Sequence, residues 1–270
     1  MPRALRRLPA PALGVLGVVG VVILWWLLAV TVFSPTTGTY TPVPTPAAVV
    51  RAAADAGAHF YWTNLWVTLK EAGTGYLWGN GLALLLSALV LVVPRLEPVL
   101  MQVAVVTYCV PVVAVGSLAI IIFGGADTAG QSSPTAVFLA ALSVVFTTVV
   151  GTILGLKAAD RSALDLVAVY GGSRLTQLVK VRLVAALPGI LNALQIAVPA
   201  AFLGAILGEY FGKIEVGIGP SLVAAQVQLK SPQVWALFIV CAVVAVIGYA
   251  VLGVVARLVA PWAAGSRRAS

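Results

Sequence analysis

The side chains able to do covalent or metal chemistry are few and scattered. His59 is the sole histidine, and no group of Asp, Glu and Cys residues gathers around it in the sequence, so neither a nucleophile–base pair nor a metal site is read around it. Cys109 and Cys241 fall inside long apolar runs and read as small buried apolar residues, not as a disulfide or thiolate ligands. The pattern Gly-x-x-x-x-Gly-Lys-Ser/Thr is absent, which leaves no cradle for nucleotide phosphates. The expectation is a chain with no catalytic residue, no metal site and no cofactor: not an enzyme. Residues 157–182 carry a different chemistry. Five cations (Lys157, Arg161, Arg174, Lys180, Arg182) and two acids (Asp160, Asp165) share a short segment between two apolar runs. Arg161 to Tyr170 can form a helix with Leu164, Val167 and Ala168 on one face. Gly171-Gly172 permits a turn with positive φ, and Ser173 can cap a second helix carrying Leu175, Leu178 and Val179. Such a helix–turn–helix, apolar and basic at once, suits docking into a cleft of another protein.

The elements that must hold this segment are membrane spans. The 270 residues are 61% hydrophobic and 9% charged, with mean hydropathy +1.08. Uncharged windows run over 8–50, 72–94, 98–126, 128–156, 183–208 and 231–256. A bilayer-crossing helix needs about 20 apolar residues, and the first window turns Pro- and Thr-rich after Phe33, so each window holds one span. The runs are continuous, not alternating, which implies helices and not a barrel. The expectation is an all-α polytopic protein of one domain over 1–270, with spans near 13–33, 75–94, 99–123, 135–156, 185–208 and 234–258. The first run follows Arg3, Arg6 and Arg7 but is too long for a secretory core and lacks a small-x-small site, so it reads as an uncleaved helix. Before the second span, Thr45-Pro46 reads as an N-cap and first helical residue, opening a short helix to Gly57. An amphipathic segment from Phe60 to Lys70 follows, with Tyr61, Trp62 and Trp66 suited to the interface.

Orientation follows from the basic residues. With the N-terminus inside, the inner side holds Arg3, Arg6, Arg7, Arg95, Lys157, Arg161, Arg174, Lys180, Arg182, Arg257, Arg267 and Arg268, and the outer side holds only Arg51, Lys70, Lys213 and Lys230. That asymmetry places both termini in the cytoplasm. The net charge of +8 is thereby a positive-inside bias in contact with anionic lipid, not a nucleic-acid footprint.

Polar residues at membrane depth are the further points of interest. Asn80, Thr147, Thr148 and Gln195 are either interhelical bonds or contacts along a translocation path. Pro111 lies in mid-span and must kink or break its helix. Glu209 ends the fifth span and Asp127 follows the third. Both read as solvated interfacial acids, with pairing to Lys213 or Lys230, or contact with a partner, as the other readings. Gly217, Gly219 and Pro220 precede a short apolar stretch near the outer side. Small residues recur in the spans (Gly73, Gly75, Gly79, Gly81; Gly151, Gly155; Gly204, Gly208) and read as close helix packing.

The segment Asp165-Leu166-Val167-Ala168-Val169-Tyr170-Gly171, continued by Val181-Arg182-Leu183-Val184, resembles the cytoplasmic loop of permease subunits of bacterial ATP-binding cassette importers. That signature is Glu-Ala-Ala, three residues, Gly, nine residues, Ile-x-Leu-Pro. Here Asp165, Gly171, Val181 and Leu183 hold its positions, while Leu166, Val167 and Val184 depart from it. The likeness extends from Thr68 to Gly219 and is similar to the branch importing nitrate, sulfonates and taurine, through Thr68-Leu69 with Gly75-Tyr76, Pro111-Val112-Val113-Ala114, Phe123-Gly124-Gly125-Ala126-Asp127, Gly155-Leu156-Lys157, and Glu209 with Gly217-Ile218-Gly219. The resemblance implies a type I importer permease in the bacterial inner membrane, paired with a second copy. It implies an ATPase gripped through Asp165, Ala168, Gly171, Gly172, Ser173, Arg174 and Leu175. A solute-binding protein would deliver its cargo near Glu209, Gly217 and Gly219, and the path would run past Asn80, Pro111, Thr147, Thr148 and Gln195. An ATPase-independent secondary transporter or channel is the alternative, but no charge stands mid-membrane to couple an ion. The topology is testable by thiol labelling of intact cells. Single cysteines at Ala54→Cys and Gln226→Cys react with an impermeant maleimide, and Ser173→Cys does not; labelling of position 173 from outside reverses the orientation.

Overall fold

The computed structural model describes residues 10–34, 41–212 and 214–262. Arg3, Arg6, Arg7, Lys213, Arg267 and Arg268 of the charge argument lie outside them. The described chain is helical throughout, without strands: α1 (Ala10–Thr31), α2 (Pro46–Val92), α3 (Glu97–Cys109), α4 (Val112–Phe123), α5 (Pro134–Lys157), α6 (Arg161–Val169), α7 (Arg174–Gln177), α8 (Leu183–Phe211), α9 (Ile218–Val227) and α10 (Ser231–Val259). Five helices are long and apolar enough to cross a membrane, and a sixth span results if the bent α3–α4 pair counts as one.

Two expected boundaries need correction. The short helix from Pro46 ends at Gly57 as expected, but the interfacial segment and the second span are one element. Thr45 caps the short helix as expected, its Oγ1 accepting the Ala48 N–H at 3.3 Å. Gly57 breaks the helical path with φ 77° and ψ 155°, and from there no residue interrupts the helix up to Val92. The third span breaks in its middle as expected, and α3 and α4 meet at 92°. Pro111 is the cause. It has no N–H, so the Thr107 carbonyl loses its helical partner. The Val110 N–H closes α3 on Val106 O at 3.1 Å, and Pro111 O opens α4 by accepting the Ala114 N–H at 2.9 Å. The docking segment, finally, does not stop before the fifth span. α7 passes through one π-helical turn, Leu178–Arg182, directly into α8.

The chain forms two compact units, residues 1–62 with 221–241 and residues 63–220 with 242–270. In the first, Trp25 of α1 stacks on Trp235 of α10 at 5.2 Å between ring centroids, while Trp26 is exposed. The Ser231 hydroxyl donates to Thr41 O at 2.5 Å and the Trp235 indole N–H to Pro42 O at 3.2 Å.

The second unit is built on α5 packed along α8, with α2 laid against both. The contact is made by residues with almost no side chain. A Cβ added at Gly208 would lie 2.3 Å from Ala136 Cα; at Gly204, 2.7 Å from Leu139 O; at Gly151, 2.5 Å from Ala193 Cβ; at Gly155, 2.9 Å from Ala186 O. Gly75 and Gly79 of α2 meet Ala140 and Ala141 of α5 in the same way. Close backbone approach is how helices gain contact where lipid offers no hydrophobic drive. Below this zone Ala83, Val90, Ala104, Val149 and Ile153 form a larger-chained core. Gly73 and Gly81 face open space, so the packing expected of them is not observed within the chain. Cys109, expected to be buried, is exposed, and Cys241 is half-buried. The two kinds of glycine separate on substitution. Gly208→Ala forces backbone against backbone and lowers stability by about 1–3 kcal/mol, whereas Gly81→Ala meets nothing and does not lower it. Melting temperatures of the two variants, purified in one detergent, decide this.

Candidate functional site

Two polar constellations stand at opposite ends of α5 and α8. The first is the segment between them. Asp160 caps α6, its Oδ1 accepting the Ser162 N–H at 3.1 Å. The helix ends in two reciprocal bonds, Gly172 N–H to Val167 O at 2.8 Å and Gly171 N–H to Ala168 O at 3.0 Å. This pairing is the glycine-dependent helix terminus of the Schellman type. Gly171 has φ +75°, where a side chain is strained, and a Cβ on Gly172 would strike Val167 at 2.4 Å. Ser173 then caps α7, its Oγ accepting the Thr176 N–H at 3.2 Å. The turn and the Ser173 cap are those expected from the sequence; the Asp160 cap was not anticipated. The apolar face is rotated, however. Leu164 and Val167 are half-buried against the protein, and Leu166, Val169 and Tyr170 point away from it, the last two each 83% exposed. Leu175 and Val179 are exposed beside the exposed Asp165, Ala168 and Ser173. The signal for the missed trio was its spacing of three and four residues, the other helical face. Close by, Lys157 at the end of α5 pairs with Glu97 at the start of α3.

The second constellation gathers the far end of the unit around two carboxyl groups. Glu209 was expected in solvent. It is instead 1% exposed, and Glu71, unremarked as a site residue, is fully buried. Three consecutive amides at the start of α9 are taken up by side chains: Gly217 N–H by Asn64 Oδ1 at 2.9 Å, Ile218 N–H by Thr68 Oγ1 at 3.1 Å, and Gly219 N–H by Glu209 Oε2 at 2.6 Å. The Thr68 hydroxyl donates to Glu209 Oε1 at 2.5 Å. Glu71 Oε1 accepts the Ser133 N–H at the head of α5, at 2.6 Å. Gly217 and Gly219 are glycines because a Cβ there would lie 2.6 and 2.7 Å from Glu209 atoms. The family resemblance linked Glu209 to these glycines. It could not reveal that α2 brings Asn64, Thr68 and Glu71 to meet them.

Residues 79–265 match the family of binding-protein-dependent transport system inner membrane components. The chain belongs to that family. It is 30% identical to a probable ABC transporter permease protein of Haemophilus influenzae, over 83% of this chain and 86% of the relative. It is 27% identical to the formylaminopyrimidine transport permease ThiX of Halalkalibacterium halodurans, over 82% and 85%. It is 26% identical to the riboflavin transport system permease RibX of Chloroflexus aurantiacus, over 97% and 94%. The protein is therefore a multi-pass inner-membrane permease of an ABC importer, a transport subunit and not an enzyme, and such permeases work with an ATPase and a solute-binding protein.

Within the permease the expected path residues do not form one surface. Asn80 and Thr148 are both buried and bonded to each other, the Thr148 hydroxyl donating to Asn80 Oδ1. The Asn80 amide donates to Tyr76 O at 2.8 Å, and the Tyr76 hydroxyl to Leu194 O at 3.0 Å. This ladder joins α2, α5 and α8, so Asn80 and Thr148 bind helices together, the first of their two expected readings. Gln195 donates to Tyr249 O of α10 at 3.1 Å, a further interhelical bond. Thr147 is half-buried, and Pro111 is exposed at the α3–α4 break. Thr148→Val removes the donor and leaves Asn80 Oδ1 buried without it. The expected loss is about 0.6–2 kcal/mol, the range for interhelical bonds in membranes, read as a lower melting temperature. The same change at Thr147 is near neutral.

Proposed function

We propose that the permease forms one translocation domain that works as a pair of identical copies, with both termini in the cytoplasm. The Arg161–Arg182 segment is its handle for the ATPase. The carrying observation is the built turn at Gly171-Gly172, which holds Leu166, Val169, Tyr170 and Leu175 away from the rest of the unit. Exposed apolar side chains flanked by Arg161, Lys180 and Arg182 on a rigid protrusion suit a cleft in a soluble partner, and this segment carries the positive-inside excess. The roles of Asp165, Ala168, Ser173 and Arg174 in that contact rest on the resemblance to importer loops. Delivery of solute by the binding protein then falls at the opposite end, where Glu209, Gly217 and Gly219 organise the segment leading into α9. The path runs between the two copies past Thr147 and the Val110–Pro111 break, where non-helical backbone at membrane depth needs protein or water beside it.

For the solute, the motif resemblance supports a small anion such as nitrate, a sulfonate or taurine. Two relatives are named for nitrogen heterocycles instead. Uptake of radiolabelled taurine and of riboflavin into cells carrying the whole transporter separates the classes, and the anion reading expects taurine.

The handle is tested at its turn. Gly171→Leu inserts normally, since the position lies outside every span, but a side chain at φ +75° is disfavoured by about 1–2 kcal/mol and alters the exit of α6. The tagged variant, purified from native membranes, loses the ATP-hydrolysing partner that the parent retains. Asp165→Ala weakens retention less, as an exposed acid contributes little. Parent-level ATPase retention by Gly171→Leu sinks the handle.

A further inference from the structure

The two buried carboxyl groups at the head of α5 are not equivalent. Glu209 stands among donors: the Thr68 hydroxyl meets one oxygen and the Gly219 N–H the other. It also lies at the first turn of the ten-residue α9, where the free amides favour a negative charge. Glu71 has a donor for one oxygen only, the Ser133 N–H. Its Oε2 is fully buried and meets no donor. Glu71 follows Thr68 by one turn of α2, and the Thr68 hydroxyl meets Glu209, so the two carboxyl groups are neighbours. Among the described residues neither is in an ion pair; the neighbouring Lys70 sends its ammonium to Gly130 O at 3.5 Å. Two carboxylates in such contact repel, and an acceptor with no donor is an expensive thing to bury.

One proton resolves both problems. We propose that Glu71 and Glu209 form an acid–carboxylate pair in which Glu71 Oε2–H donates to Glu209, and that this bond positions Glu209 to hold the first turn of α9. Glu71 is a positioning residue. Through it the head of α5, at Ser133, is tied to the start of α9 by a single chain of bonds: Ser133 N–H to Glu71, Glu71 to Glu209, Glu209 to Gly219 N–H. A chain of this kind behaves as a latch, because loss of its middle member loosens residues 214–217 without disturbing the glycine contacts between α5 and α8. That the latch closes the outer side of a path rests on the importer reading; the direction of the bond does not.

The direction of the bond predicts an asymmetry between conservative variants. Gln at position 71 keeps an acceptor for Ser133 and supplies an N–H toward Glu209. Gln at position 209 turns an NH2 group against the Thr68 hydroxyl or the Gly219 amide, both donors. The readout is reaction of Ile214→Cys, a buried position in the latched segment, with an impermeant maleimide. The background carries Cys109→Ala and Cys241→Ala, and melting temperature is measured alongside. Glu209→Gln raises the labelling rate about tenfold and lowers the melting temperature, as expected for a lost charged hydrogen bond. Glu71→Gln stays within about twofold of the parent, and Glu71→Ala behaves like Glu209→Gln. Thr68→Val, which removes one donor to Glu209, is the milder probe if Glu209→Gln does not accumulate in membranes, and it too must raise labelling. Equal labelling of the two Gln variants, or parent-like labelling of Glu209→Gln or, in its place, Thr68→Val, overturns the pair. The assay needs neither ATPase nor solute, so its outcome is separable from that of ATPase retention.

Discussion

Everything in the second unit depends on how closely α5 and α8 can approach. In water, two such helices would be driven together by burial of apolar surface. In lipid that drive is absent, and what remains is contact between backbones, dispersion and a few hydrogen bonds. The chain meets this constraint by placing glycine or alanine wherever the two helices cross: Gly208 on Ala136, Gly204 on Ala140, Gly151 on Ala193, Gly155 on Ala186. These pairs extend over nearly the whole of α5, about 36 Å at 1.5 Å per residue. A single added methyl group would have to move backbone at most of them. The seam is therefore stiff.

That stiffness explains why the polar groups sit where they do. Along the seam, polar side chains serve only to join helices, as Thr148 does with Asn80 and Tyr76 with Leu194. Groups that could recognise something else stand beyond the two ends of the rods. At one end the chain leaves α5 at Lys157, makes the Gly171 turn and returns through the Leu178–Arg182 π-turn into α8 without a break. At the other, Ser133 opens α5 and Glu209 nearly closes α8, and Glu71 stands with both. The protrusion is continuous with α8, with no irregular linker between them.

Much of this was legible in the sequence, and the failures have physical causes. Charge-free windows locate spans because an unpaired charge is too costly in hydrocarbon. The Gly171-Gly172 turn and the caps at Thr45 and Ser173 were legible because local backbone needs dictate those residue types. Continuity was not. Nothing near Phe60 or Lys70 stops a helix, so the interfacial segment and the second span fuse, and polarity alone gave no boundary. The 92° bend at Pro111 exceeds what a proline must do; the residue marks a break but does not set its angle. The solvated reading of Glu209 failed because a carboxylate near a span end normally meets water, and only tertiary contact with α2 removes it.

Glu71 shows most clearly where local reading ends. In sequence it is one acid beside Lys70, at the expected edge of a membrane span, and a surface ion pair is the ordinary conclusion. In the fold, Lys70 turns toward Gly130 and Glu71 turns inward, because the Thr68–Glu71 turn of α2 faces the Ser133 and Ile218 amides at once. Those amides open α5 and α9, and no intrahelical carbonyl exists for the first N–H groups of any helix. The carboxyls are thus demanded by two helix ends that converge on one buried point. Water cannot serve them there, and side chains from a third helix must. The same requirement makes the site exacting: it needs acceptors facing the amides, glycines where Glu209 comes close, and a donor between the acids. A sequence displays those residues singly, and the topology alone makes them one site.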